Sequence, residues 1–264
     1  MLTQPLRSQI ARYTVAEEAC SPIPLSAVRD LAYRGPVVGV VMAGIFDYRA
    51  AGGATTAVPG TLLLGNANEA FRCEHRQGSG NRRQVVRFDA AILEDIASSV
   101  GLSAAKFRAA AVPPGELAAR AFGCMRRLAR DNSSDEAAYE LAGLALQVNR
   151  SALLPARVPI RNQRRILEVV HQLEETYNER WSLSDLAKLA HMSTYHFLRT
   201  FKAVTGQSPN QFIMYLRLRA AANGLLNPDS AVAEIALRVG FNDISHFNAC
   251  FRRAFGRAPS RWRA

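Results

Sequence analysis

The chain has 264 residues, 48% of them hydrophobic, which is enough for two domains with cores of their own and too apolar for disorder to be expected. Its 33 Lys and Arg against 22 Asp and Glu give +11, and from Ala156 onward 16 basic face 8 acidic residues. That C-terminal excess is the footprint expected for a polyanion partner, although a solvated basic surface gives the same balance.

The chain opens on Met1-Leu2-Thr3-Gln4-Pro5-Leu6-Arg7, which lacks the apolar run of a signal peptide. No uncharged apolar stretch approaches the ~18 residues of a membrane span. Cys20, Cys73, Cys124 and Cys250 are scattered without a C-x-x-C pair. This is no disulfide framework or zinc knuckle and suits a reducing cytosol. The expectation is a soluble cytoplasmic protein.

Residues 1 to about 110 read as β structure. Val37–Gly44 is an apolar run and Ile45–Arg49 begins to alternate. Ala50–Ala54 and Val58–Gly60 are turns, the second leading into Thr61–Gly65. Phe71–Arg76 alternates, Gln77–Asn81 breaks the pattern and Gln84–Phe88 resumes it. Short strands at this spacing predict a sandwich or small barrel. Two helices follow, Gly115–Arg130 and Ser134–Asn149, the second capped by Ser134. Its stripe of Ala138, Leu141, Ala142, Ala145 and Val148, with Leu144 alongside, faces either the β domain or a second subunit.

Ser151–Pro159 reads as a linker, giving domains of 1–150 and 160–264 joined by 151–159. From Ile160 the chain becomes helical, with Ile166, Val169, Val170, Leu173 and Tyr177 along one side of a helix over Asn162–Glu179. Ser182 opens a helix-turn-helix, with Asp185 in its first turn. Gly206 ends its second helix, and Ser208-Pro209 opens a connector running to about Leu226, where Asn227-Pro228 stops it. Ser230 is expected to cap a second helix-turn-helix, with its turn at Gly240.

Stepping about 100° per residue from Phe197 places Phe201 and Val204 beside it, with Tyr195, Leu198, Arg199 and Lys202 opposite. From Phe247 the same step puts Phe251 and Ala254 inside, and Ser245, Asn248, Ala249 and Arg252 outside. The two wheels superpose at an offset of 50 residues, while the preceding helices match at 49. A helix with an aromatic inner face and a basic or polar outer face suits the major groove, where Arg can bond guanine and Lys meets phosphate. The connector from Ser208 to Leu225 spans roughly 27 Å, against about 34 Å between successive major grooves on one DNA face.

On these residues the C-terminal part resembles the DNA-binding domain of the AraC/XylS family of bacterial transcription regulators. Leu186-Ala187, Phe197, Arg199, Phe201-Lys202, Gly206, Ser208-Pro209, Arg217, Ile235-Ala236, Gly240-Phe241, Phe247, Phe251, Phe255-Gly256 and Pro259 carry the match. The resemblance implies Ser193, Thr194, Tyr195, Leu198, Arg199 and Lys202 as DNA-binding residues of the first unit. It implies Ile244, Ser245, His246, Asn248 and Arg252 for the second. Double-stranded promoter DNA, RNA polymerase, a small-molecule effector and a second copy of the chain are the implied partners, with no cofactor. Two departures stand out. His191 occupies the turn position where the family usually has Gly, and Ala249 stands where many members carry Arg, so the first unit is expected to supply most base specificity.

The family's N-terminal domain is often a cupin-like barrel that binds an effector or dimerises. The fold class expected is therefore α+β, a cupin-like barrel or sandwich with helices followed by an all-α domain with two helix-turn-helix units. Phe46, Tyr48, Phe71 and His75 are the effector-binding candidates, core packing being the other reading of the aromatics. Arg72, Arg76, Arg82 and Arg83 fit either an anionic effector or a solvated basic edge. A metal-dependent cupin enzyme is the rival from another class. It draws on several His, and His75 is the one His among the first 155 residues. An alkylation-repair protein needs four cysteine thiolates on zinc, and three Cys precede the linker. No catalytic or metal residue is assigned.

Overall fold

The computed structural model describes residues 13–20, 30–75, 80–130, 135–148, 158–227 and 229–262. Nine strands come first: β1 (Tyr13–Cys20), β2 (Leu31–Ala32), β3 (Val37–Ala43), β4 (Phe46–Ala50), β5 (Gly53–Ala57), β6 (Leu62–Gly65), β7 (Ala70–His75), β8 (Asn81–Phe88) and β9 (Ala111–Val112). They form two antiparallel sheets, ordered β1-β8-β3-β6-β9 and β2-β7-β4-β5. The described strands make a two-layer sandwich and not a closed barrel.

β3 has no polar alternation because both of its faces are covered. Val38 and Val40 join the helix-side core, and Val41 joins Phe46, Tyr48 and Leu63 between the sheets. β4 does alternate: Phe46 and Tyr48 are buried, while Arg49 is exposed. The expected turn at Ala50–Ala54 is tighter than that, since Ala50 pairs with Gly53 and β5 begins there. The all-β reading to residue 110 is also corrected. Helix α1 (Ala90–Ser99), capped by Asp89 on the Ala91 amide, buries Ile92, Leu93, Ile96 and Ala97. Spacings of three and four between these positions carried that signal.

Helix α2 (Glu116–Arg130) packs on β1, β3 and β8 of the five-stranded sheet, and α3 (Asp135–Leu146) packs on α2 and α1. The stripe of Ala138, Leu141, Ala142 and Ala145 is buried within the chain as α3 packs on α2 and α1; the helix ends at Leu146, short of the expected Asn149, and Val148 is buried just beyond it. Arg127 and Arg120 hold Glu140 at the edge of the α2–α3 seam. Ser134, the expected cap, and most of the expected linker lie outside the described residues.

The C-terminal helices are α4 (Ile160–Thr176), α5 (Leu183–Leu189), α6 (Thr194–Thr205), α7 (Pro209–Gly224), α8 (Val232–Arg238), α9 (Ile244–Phe255) and α10 (Pro259–Trp262). The connector α7 ends two residues earlier than expected, with Leu225 as its C-cap. Ser230 does not cap α8; Ala231 holds that position without a side-chain bond.

The two halves share a continuous core. Phe122 of α2 lies against Phe255 of α9, with ring centroids 6.2 Å apart. Gly123 leaves just enough room for the Trp262 ring, which a Cβ would meet at 3.4 Å. The Trp262 carbonyl accepts from Arg130 at 2.9 Å. Two glycines permit closer approaches: at Gly60 (φ +90°) a Cβ would fall 2.1 Å from the Tyr215 ring of α7, and at Gly206 (φ +78°) 2.4 Å from Pro113.

Candidate DNA-reading surface

Each reading helix is fixed at both ends by local chemistry. The Ser193 hydroxyl caps α6 by accepting from the His196 amide, and Asp243 caps α9 by accepting from the Ser245 and His246 amides. Gly206 and Gly256 terminate them in the left-handed conformation. The preceding turns are built alike. Met192 N–H donates to the Ala187 carbonyl at 2.9 Å, and Phe241 N–H to the Ala236 carbonyl at 2.9 Å. The extra residue of the second unit is Asn242, placed between that turn and the cap. His191 adopts φ +51°, the counterpart of Gly240 at φ +93°, so the His accepts a conformation that Gly takes without strain.

The exposure of α6 and α9 agrees position by position at the offset of 50, apart from Ala203 against Arg253. Phe197, Thr200, Phe201 and Thr205 are buried, as are Phe247, Cys250, Phe251 and Phe255. Val204 and Ala254 are half-buried against the core. On the outer faces Tyr195 is 72% exposed and Ile244 43% exposed. Thr194, Arg199, Lys202, Ser245, His246 and Arg252 are exposed, while Leu198 and Asn248 are half-buried beside them. The structure thus gathers the expected residues of each unit on one open helix face. His246 also leans inward, with its Nε2 3.3 Å from Cys250 Sγ and its ring 5.7 Å from Phe241.

α7 sets the relation between the units. It starts with a capping box, Ser208 accepting from the Gln211 amide while Gln211 accepts from the Ser208 amide. Its 16 residues span roughly 24 Å. From its middle, Arg217 donates to the carbonyls of Tyr177 at 2.7 Å, Glu179 at 2.7 Å and Gly240 at 2.9 Å. One guanidinium therefore ties the end of α4 to the turn of the second unit. Burial and the nearby Arg180 draw the Arg217 pKa down, but an arginine so far above neutrality stays charged. Trp262 donates from Nε1 to the Ala222 carbonyl at 3.0 Å, which holds α10 on α7.

The effector candidates separate. Phe46 and Tyr48 are fully buried between the sheets, with the Tyr48 hydroxyl 2.7 Å from that of Tyr33. Phe71 stacks on Tyr33 at 4.1 Å. His75 instead lines a cavity between the sandwich and α4. The basic cluster is partly neutralised: Arg72 meets Asp30 at 2.8 Å, Arg82 meets Glu17 at 3.5 Å and Arg83 meets Glu18 at 3.4 Å. Arg76 lies outside the described residues.

A sandwich with its own helical layer is thus packed on two helix-turn-helix units that share one connector. A helix-turn-helix domain model matches residues 186–264, and an AraC-like ligand binding domain model matches residues 34–147. The chain belongs to the AraC/XylS family of transcription regulators. It is 32% identical over 111 residues to the MmsAB operon regulatory protein of Pseudomonas aeruginosa, covering 42% of this chain and 36% of that protein. It is 30% identical over 95 residues to the bifunctional transcriptional activator/DNA repair enzyme AdaA of Bacillus subtilis, covering 36% and 45%. The solved DNA-binding domain of AdpA in complex with a target DNA is 34% identical, covering 37% of this chain and 88% of that one, with a TM-score of 0.36. The chain spans less than half the length of the curated relatives it matches. Among the described residues no helix is long and apolar enough to cross a membrane.

Proposed function

We propose that the chain is a one-component transcription regulator that binds promoter DNA sequence-specifically through α6 and α9. Residues 160–264 act as the reader, 1–150 as an effector-binding and dimerising unit, and 151–159 as the connection between them. The observation that carries this reading is the duplicated outer face. Arg199, Lys202 and Arg252 stand open on it, with no hydrogen bond or ion pair to the rest of the described chain. Tyr195, Leu198 and Arg199 meet base edges from α6, and Ser245, His246 and Asn248 flank the groove from α9. Lys202, Arg252, Ser193, Thr194 and the N-terminal turn at Ile244 contact the backbone. Such a regulator works in the cytoplasm, as a homodimer whose neighbour on the promoter is RNA polymerase.

AdaA prompts a second reading, a repair enzyme carrying the same reader. The four cysteines of this chain lie in β1, β7, α2 and α9, four separate elements, with Cys124 and Cys250 buried. Regulation without catalysis is the reading they favour.

The test is selection of bound sequences from random duplex DNA by the full chain at a stated salt concentration. An asymmetric site with one strong and one weak half is expected, the weak half belonging to the Ala249 helix. Recovery of DNA with no preferred sequence would remove the sequence-specific reader.

A further inference from the structure

A cavity of about 1040 Å³ separates the outer face of the β4–β7 pair from α4. Its lining is unusual for a chain of net charge +11. Asp47 and Glu74 face it from directly paired positions on β4 and β7. Glu168, Glu174 and Glu175 face it from α4, and among the described lining residues Arg164 is the one permanent cation. Ile45, Ile160 and Leu167 give it apolar wall.

α4 is built for two tasks. Ile166, Val169, Val170 and Leu173 enter the reader's core. The lining positions 160, 164, 167, 168, 171, 174 and 175 form a second stripe at helical spacing. Several polar groups there are left over. Glu174 makes no hydrogen bond or ion pair with the described chain, and burial pushes its carboxyl up to about 7. The Nδ1 of His75 is buried without a partner, while its Nε2 sits 2.6 Å from Asn81 Nδ2. Partial compensation exists at three carboxylates: Arg72 lies 3.8 Å from Glu74, His171 lies 3.7 Å from Glu175, and the Thr56 hydroxyl donates to Asp47 at 2.8 Å. Glu168 and Glu175 stand exposed at the rim, whereas Glu174 is the lining carboxylate that burial makes costly to ionise, with Arg219 opposing that cost in part and a cation in the cavity able to offset the rest.

We propose that this cavity binds a small organic cation, an alkyl amine or diamine, with its ammonium between the α4 carboxylates and Asp47 and its chain against Ile45, Ile160 and Leu167. The volume lies at the upper end of the range for small-molecule pockets, about 300–1,000 Å³. An ammonium suits the site better than a metal ion: among the described residues no group of three or more His, Cys, Asp or Glu side chains is gathered tightly enough to hold one. The ligand would bridge the sandwich to α4. From α4, Arg165 donates to the His191 carbonyl at 3.0 Å, in the turn that aims α6. Its role as effector rests on the regulator reading above; the binding itself does not.

The experiment is calorimetry and thermal unfolding of the full chain at pH 8, with 1,4-diaminobutane, butylamine and butanoate as probes. The diamine is expected to bind with a Kd of about 1 mM or tighter and to raise Tm, and butanoate to do neither. Glu174→Gln and Glu168→Gln should each weaken the diamine about tenfold, whereas Glu94→Gln, on the exposed face of α1, should leave it unchanged. Absence of diamine binding, equal binding by Glu174→Gln, or butanoate binding as well as the amines would overturn the proposal. DNA affinity measured with and without diamine separates the two layers. Tight amine binding with unaltered DNA affinity keeps the cation site and removes only its role as effector.

Discussion

The two helix-turn-helix units are near copies in backbone, caps and burial, yet they are held differently. The first is supported mainly by α4 and α7, and meets the N-terminal half where Pro113 covers Gly206. The second is gripped by α2 through Phe122 against Phe255, and by Arg130 and Gly123 on Trp262. Their outer faces differ in the same sense. The freer unit carries Tyr195 and Arg199, while the gripped one presents Ser245 and Ala249. The duplicated fold thus presents one unit with a tyrosine and an arginine on its open face and another unit seated on the N-terminal half.

The largest way to break this comparison is Trp262→Ala. Trp262 is 6% exposed, packs edge-on against Phe251 at 5.5 Å and holds α10 to α7. Its loss should cost about 3–5 kcal/mol, read from the midpoint of chemical unfolding. A loss below about 1 kcal/mol would show that the second unit does not depend on this seat.

Next come the outer faces. Arg199→Ala should cost about 1–3 kcal/mol at the preferred site and relax preference at one base pair. Lys202→Ala should weaken all sequences alike and lower the salt slope by about one. Competition binding across site variants at several salt concentrations distinguishes them. Identical profiles for the two variants would mean that Arg199 also contacts only phosphate.

Glu174 gives a pH-dependent prediction of similar or smaller size. Burial raises its pKa, Arg219 on α7 opposes the rise and Glu175 adds to it, leaving it at about 7. An unfolded glutamate releases its proton near pH 4.3. Between about 4.3 and about 7 the folded state therefore holds a proton that the unfolded state has lost, and stability falls as pH rises through that window. Glu174→Gln should be more stable than the parent at pH 8, by about 1–3 kcal/mol, with the advantage gone near pH 4. Parallel stability curves from pH 4 to 8 would contradict this.

The smallest effect sharpens the likeness of the two turns. His191→Gly gives the first turn the residue of the second and should stabilise by about 0.5–1 kcal/mol, the relief of left-handed strain being offset in part by added freedom of the unfolded chain. A destabilisation would show that the His side chain contributes more than its φ costs.

The tandem reader was legible because its rules are local. Aromatic spacing, Ser193 and Asp243 at the caps, Gly206 at a helix end and Ser208-Pro209 at a start all act within a few residues. α1 is hard to read from sequence because its short apolar pattern, Ile92, Leu93, Ile96 and Ala97, directly follows a run of strands. Ser230 is not the cap because α8 begins at Val232, which puts Ala231 at the cap position and Ser230 one residue outside it. In the sandwich, alternation identified β4, but it could not say that Phe46 and Tyr48 pack between the sheets while His75 lines a cavity.

What the sequence determined by itself is thus the duplicated reader, its caps, its connector and the sheet-rich character of the first half. Tertiary structure alone decided that α2 seats α9, that Arg217 joins three carbonyls from two segments and that five carboxylates line one cavity. Helical and strand periodicities report which face of an element is apolar, and they carry no information about which other face it will meet. Phe122 and Phe255, or Asp47 and Glu174, lie more than a hundred residues apart. Only the folded chain brings such pairs together.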